Sequence, residues 1–406
     1  MRLSPLRTLL ALLCGALLLA GCGKSSSSTA SSGGPISRVA PVAAQGAVSV
    51  ATRNTTRIGG GDVASDAAAV ARTVYPALTS ASRPQAVVLV DRSSWNTALA
   101  ASSLAGAPLG APLLFSDGNA LPAVTRETLE ALAPVGARAL GGAQVLRIGT
   151  TAALPRAYIT RSLPAAQPEV TAAAIAGLLG QVAGQAPRQV IVLPDNAPRA
   201  LAAPAAGLSA ESGAPILFVS PARVPAPTAS ALLALKRPAI YVLDAPALGR
   251  PALSELRRLG AVTELPSAAA GEAAGPVANA IAVARFADGQ FGWGVKEPGH
   301  GLVFANASRP LDGPAAALLS ATGDYGPLLL LEGAATIPPS LAAYLGDIEP
   351  AYTPAFAFRP VRGVYNHGWL IGDERAISAV TQAQIDSLLE ISPRKQSGEP
   401  SVSQVE

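Results

Sequence analysis

One pattern occurs three times in this chain of 406 residues, and its spacing does not vary. A short aliphatic run leads into a polar loop, then an alanine-rich stretch, then a glycine–proline step into a second aliphatic run. The first copy runs from Ala86–Val90 through Asp91–Asn96 to Gly110-Ala111-Pro112 and Leu113–Phe115. The second runs from Val190–Leu193 through Pro194–Arg199 to Gly213-Ala214-Pro215 and Ile216–Phe218. The third runs from Leu302–Phe304 through Asn306–Leu311 to Tyr325-Gly326-Pro327 and Leu328–Leu330. Val88 to Pro112, Ile191 to Pro215 and Val303 to Pro327 are each 24 residues apart. A fixed internal period of this kind marks a repeated supersecondary unit.

The aliphatic runs are apolar throughout, as parallel strands covered on both faces must be. Helical periods separate them. Ser65-Asp66 is expected to cap a helix through Val70 and Val74. Pro168-Glu169 opens another carrying Ile175, Leu178, Leu179 and Val182. A third carries Val277, Ile281 and Phe286, and Thr125–Leu132 forms one after the first copy. A further strand is expected at Ala239–Leu243 and at Trp369–Ile371. In the first copy it falls at Ala137–Leu140 or Gln144–Ile148. Thr381 and Gln384 read as the capping box of a last helix with Ile385, Leu388 and Leu389. The predicted fold is α/β: three tandem Rossmann-like repeats with parallel sheets. The expected boundaries are 51–150, 151–268 and 269–392, followed by a disordered tail at 393–406.

The first residues have a different character. Arg2 and Arg7 precede an apolar run from Leu9 to Ala20, the layout of an export signal. The run ends in Leu19-Ala20-Gly21-Cys22, which resembles the bacterial lipobox. Residues 1–21 are therefore expected to be a cleaved signal peptide, with Cys22 lipidated and the remainder lipid-anchored outside the cytoplasm. Residues 22–50, rich in Ser, Gly, Ala and Pro, read as a flexible tether. No later run of 18 apolar residues suggests a second anchor. The only other cysteine, Cys14, leaves with the signal, so the mature chain has no thiol for a disulfide or a metal.

The formal charge of +4 is too small for a general affinity for nucleic acid. Aromatic residues make up 4%, too few for stacking platforms on single strands. His300 and His367 are isolated, so no metal site is expected. No Gly-x-Ser-x-Gly elbow is present. Ser392 to Lys395 imitates a Ser-x-x-Lys motif in a tail that cannot hold a nucleophile against a base. No cofactor and no enzymatic activity are expected.

The chain from about Arg57 to Ile391 resembles the bacterial cell wall-binding repeat of type two. Arg57-Ile58-Gly59-Gly60-Gly61-Asp62 matches the first half of its motif, and Ala67 its alanine. Val63, Ala64 and Asp66 stand where the family has Arg, Tyr and Thr. The Gly-Ala-Pro steps match the family's second strand. Asp312 matches its loop aspartate, where the other copies have Thr97 and Ala200. Gly372-Asp373 with Ala376–Ser378 resembles the segment closing each repeat, and Gly141-Gly142 matches only the glycines. The resemblance implies three units packed around a pseudo-threefold axis that attach to anionic wall polymers through basic residues in inter-repeat grooves.

In open parallel sheets, ligands meet the loops at the carboxyl ends of strands. Those loops carry Arg92, Asn96, Arg199, Arg309 and Asp312, and an arginine fork suits phosphate or carboxylate. Arg57 with the following glycines reads as an anion-binding nest or a structural turn. Arg57, Asp62, Arg92, Asn96, Arg199, Arg309 and Asp312 are the ligand-binding candidates. Trp95 and Trp293 line a groove or pack in the core. The expected protein is a monomeric, lipid-anchored envelope module that binds an anionic wall polymer or scaffolds envelope components. The alternative is the solute-binding lipoprotein of a transporter, which would show two lobes and one hinge.

Overall fold

The structure, a computed structural model, describes residues 50–266, 275–323, 326–352 and 364–393. Cys22, the tether up to residue 49 and the tail from residue 394 lie outside the described residues. The chain opens with β1 (Val50–Ala51), β2 (Thr55–Ile58) and α1 (Val63–Val74). Next come β3 (Val87–Asp91), α2 (Trp95–Ala101), β4 (Leu113–Ser116), α3 (Ala123–Leu132), β5 (Val145–Ile148) and β6 (Thr160–Leu163). They are followed by α4 (Pro168–Ala183), β7 (Gln189–Pro194), α5 (Arg199–Ala202), α6 (Pro204–Ser212), β8 (Ile216–Val219) and α7 (Ala226–Ala234). Then come β9 (Ala239–Val242), α8 (Arg250–Leu259), β10 (Ala261–Glu264), α9 (Pro276–Arg285), β11 (Gly301–Asn306) and α10 (Asp312–Ser320). The chain ends with β12 (Leu328–Leu331), α11 (Pro339–Asp347), β13 (Ala351–Tyr352), β14 (His367–Ile371), α12 (Ala379–Leu388) and β15 (Ser392–Pro393).

Three large sheets form with the same order, and β13 and β15 pair separately as a two-stranded sheet. The large sheets run β4-β3-β5-β6, β8-β7-β9-β10 and β12-β11-β14-β2, with β1 added antiparallel at the outer edge of the last. All other pairings within these sheets are parallel. Val88, Ile191 and Val303 occupy equivalent places. They face Leu113, Ile216 and Leu328, and their amides donate to the carbonyls of Pro112, Pro215 and Pro327 at 2.9, 2.9 and 3.1 Å. The strands are buried on both faces, as continuous aliphatic runs require.

The helices that follow the first strand of each unit meet one another. These are α2 with the 3₁₀ turn Ser102–Ala105, α6 and α10. Their contacts are made by small residues that let backbones come close. An added Cβ at Gly106 would run into the Ala210 carbonyl, and one at Gly207 would lie 2.5 Å from Ser320 Oγ. One at Gly313 would lie 3.3 Å from Ala203 Cβ. Three mutually packed central helices are what packing about a pseudo-threefold axis requires.

One open alternative is decided and two details differ from the sequence reading. The first-copy strand forms at Val145–Ile148, while Arg138–Leu140 is a 3₁₀ turn. α12 is capped by Ser378, whose side chain accepts from the Thr381 amide, so the box at Thr381 and Gln384 does not form. α1 is capped by Asp62 accepting from the Ser65 amide at 2.9 Å, one turn earlier than Ser65-Asp66 suggests. In addition, each sheet has a short fourth strand. For the third sheet it is β2, from the start of the chain, which pairs with β14 from Thr55↔Gly368 to Ile58↔Ile371. The strand that opens the first sequence segment thus completes the last unit.

Candidate inter-unit site

The loops after β3, β7 and β11 take one conformation. Ser94, Ala197 and Arg309 amides donate to Asp91, Pro194 and Asn306 carbonyls at 3.0, 3.1 and 2.8 Å. Each loop faces the first turn of a bridging helix: α4 beside unit 1, α9 beside unit 2 and α1 beside unit 3. The residue four places after each N-cap is buried and polar: Asp66 in α1, Thr171 in α4 and Asn279 in α9. The three grooves share one plan and differ in side chains.

The groove between units 1 and 2 is open. It holds a cavity of about 420 Å³ lined by Ser93, Ser94, Asn96, Pro168, Asp195 and Arg199, among others, with Trp95 in its wall. Asn96 Nδ2 reaches the Asp195 carbonyl at a long 3.4 Å, which leaves it capacity for a stronger partner. Burial, and Glu169 nearby, raise the Asp195 carboxyl above its ordinary value. The amino end of α4 adds its positive dipole end. Hydroxyl, amide and guanidinium donors at a helix start suit an anionic or hydroxyl-rich ligand. Arg92 turns away from this cavity into a paired contact with Asp117, at 3.1 Å from Nε and 2.6 Å from Nη2.

The groove between units 3 and 1 is filled by the protein itself. Arg309 forms an ion pair with Asp66 and bonds Asp312 Oδ2 through Nε at 2.7 Å. The side chains of Asp66 and Asp312 are 0% and 1% exposed, and that of Arg309 22%. Asp66 Oδ1 also accepts from the Gly60 amide at 2.6 Å. Burial and the neighbouring Asp312 push the Asp66 carboxyl up to about 8. Burial raises Asp312 to about 6, against the pull of Arg309. Burial alone would lower the Arg309 guanidinium, but Asp312 and Asp66 outweigh it. Two carboxylates therefore share one cation and retain a proton near neutrality. Glycine is required at Gly59, where φ is +134° and a Cβ would strike Asp66 and crowd the Gly372 amide at 2.7 Å.

Arg57, another of the ligand candidates, is turned inward and bonded within the protein. It is 4% exposed. Its guanidinium donates to Gln382 Oε1 and the Gly372 carbonyl, both at 3.1 Å, tying β2 to α12. Burial lowers its pKa, with Glu374 and Asp373 opposing. Asp62, likewise a candidate, serves as the cap of α1. In the groove between units 2 and 3, Asn279 Nδ2 donates to the Leu201 carbonyl at 2.8 Å and closes the seam. Of the seven candidates, only Asn96 and Arg199 come together at an open cavity. Sequence reasoning does not single out Asp66, because beside Ser65 it reads as a helix cap. The signal was there: Asp62 already supplies the cap, which leaves Asp66 as an unexplained acid in an alanine-rich helix.

No protein-family profile and no curated protein matches the sequence. Solved structures do match the fold. Cwp6 from Clostridium difficile superposes with a TM-score of 0.61 at 16% identity, covering 83% of this chain and 48% of that one. Cwp8 from Clostridium difficile gives 0.59 at 15% identity, covering 83% and 52%. The chain spans about half the length of both. At such identity the likeness is one of fold: three parallel-sheet units joined in one body. Among the described residues no group of three His, Cys, Asp or Glu side chains is placed to hold a metal ion, and no helix is long and apolar enough to cross a membrane.

Proposed function

We propose that this chain is a non-enzymatic envelope protein outside the cytoplasm, held to the membrane by lipid on Cys22. Its open groove between units 1 and 2 takes up an anionic wall polymer or a neighbouring envelope component. The observation that carries this reading is the fold shared with Cwp6 and Cwp8 from Clostridium difficile, which agrees with the resemblance of residues 57–391 to the cell wall-binding repeat. Two features support it. Arg199 and Asn96 converge on a cavity at the amino end of α4, where a polymer's anionic groups would find donors. The remaining two seams are closed by the protein's own side chains, so binding concentrates at one place. Three sheets of equal order, rather than two lobes about one hinge, give the transporter-receptor alternative no support.

Sedimentation with isolated cell walls tests the proposal. The chain from residue 22, carrying Cys22→Ser, should pellet with walls and lose this after anionic polymers are extracted. Arg199→Ala should weaken retention about tenfold, the scale of one charge-assisted hydrogen-bonding group. Full retention on walls stripped of polymer would defeat the mechanism.

A further inference from the structure

The amino ends of the strands in units 1 and 2 form a rim with a composition unlike the rest of the surface. In unit 1, Val135 and Ile159 are 51% and 57% exposed. They sit side by side at the strand starts: the Val135 amide bonds the Pro84 carbonyl, and Gln144 bonds the Ile159 carbonyl. Exposed Arg83, Arg138 and Arg156 stand among them, Arg156 lying 4.7 Å over the Tyr158 ring. In unit 2, Leu233 at the corresponding helix end is 61% exposed. Exposed Arg188, Lys236, Arg237 and Arg258 surround it. Pairing places them together, because the Ala239 amide bonds the Arg188 carbonyl and the Ala261 amide bonds the Pro238 carbonyl. The two rims adjoin where Gln181 Nε2 bonds the Ala139 carbonyl at 3.0 Å.

None of these seven cations is in an ion pair among the described residues. The acids of the same region are fewer. Glu264 is paired with Arg257, Asp288 accepts from Tyr241, Glu130 lies in the last turn of α3 and Glu211 in the last turn of α6. At the matching end of unit 3, Asp347 is ion-paired with Arg285, and Glu349 follows the end of α11.

We propose that this rim docks on anionic phospholipid headgroups, with Val135, Ile159 and Leu233 entering the interfacial layer. Scattered exposed aliphatics flanked by unpaired cations fit such a surface, where each basic residue near the headgroups contributes about fivefold in binding. Proximity to the membrane rests on the Cys22 reading. About 27 residues separate Cys22 from Val50, so a lipid on Cys22 would keep the folded part at high local concentration beside the bilayer.

Vesicle sedimentation of the unlipidated chain from residue 22 carrying Cys22→Ser tests the surface without the anchor. The protein should pellet with phosphatidylglycerol–phosphatidylcholine vesicles, not with phosphatidylcholine alone, and should be released by molar salt. Lys236→Glu with Arg258→Glu should lower partitioning at least tenfold. Arg223→Glu with Arg250→Glu, an equal charge change at the opposite strand ends, should change it less than about threefold. Leu233→Ser should weaken binding without abolishing the salt dependence. Equal binding to both vesicle types, or equal loss in both double variants, would overturn the proposal. So would capture of soluble polyphosphate without vesicle binding. Wall sedimentation that persists in any of these cases leaves the wall reading standing, so the two fail separately.

Discussion

Arg309 is the residue on which the seam between the third unit and the first depends. It is the single cation facing two carboxylates that have almost no access to water. Removing one member of such a buried set leaves uncompensated charge, which costs about 3–5 kcal/mol. Arg309→Ala should therefore lower the urea midpoint by that equivalent, and by more at alkaline than at mildly acidic pH, where protonation relieves the carboxylates. The wild-type chain carries the same linkage. Asp66 and Asp312 titrate higher in the native state than in the unfolded chain, so the native state binds more protons between about pH 4 and about pH 8. Stability contributed by these protons is complete below the unfolded value and declines as pH rises through the native one. Denaturation midpoints should fall steadily across that window. Asp66→Asn should flatten the slope while lowering stability at acidic pH, because an amide nitrogen cannot accept from Arg309. A midpoint independent of pH in the wild type would contradict this. Arg309 and Asp312 were visible in the sequence as loop residues of opposite charge. Their third partner was not, because Asp66 lies 243 residues away on an element whose placement depends on ring closure.

At the level of elements, the central helices set the tolerance for volume. α2 and its 3₁₀ turn, α6 and α10 touch through Ala, Ser and Gly, so the gaps between them match no larger side chain. Gly106→Ala places a methyl against the Ala210 backbone carbonyl, which cannot rotate aside. A loss of about 1–3 kcal/mol is expected from such overpacking. Gly177, exposed within α4 with nothing near its Cβ position, behaves in the opposite way. Gly177→Ala should raise stability by about 0.5–1 kcal/mol through helix propensity alone. Thermal unfolding of the two variants side by side separates packing from propensity. The same elements show why most of the fold was legible. An aliphatic run of four or five residues, buried on both faces, writes itself into sequence as a run without alternation. A spacing of 24 residues fixes the register of its partner. The fourth strands left no such mark. Thr55–Ile58 and Thr160–Leu163 are short and mostly polar, Ala261–Glu264 is half polar, and the last two lie at sheet edges with one face partly in water.

For the whole molecule, the decisive feature is that β2 belongs to the last sheet and α1 to the seam between last and first units. The Gly368 amide bonds the Asn54 carbonyl at 2.8 Å and the Gly372 amide bonds Ile58 at 3.0 Å, while Arg57 holds α12. The chain thus closes on itself, and sequence periodicity alone, which treats copies as beads in a row, does not reveal the closure. A linear array would lose stability locally when one end is trimmed, since each repeat contacts only its neighbours. A closed ring transmits the loss, because α1 packs on α10, α10 on α6, and α6 on the turn after α2. A chain beginning at Val63 would lack β1, β2 and the cap of α1. Native-state hydrogen exchange should then show reduced protection in β14 and β11, and also in β3 and β7, which belong to the other two sheets. Full protection retained in β7, with loss confined to β14, would mean that the three units fold as separate bodies and that the central helices contribute little to their cohesion.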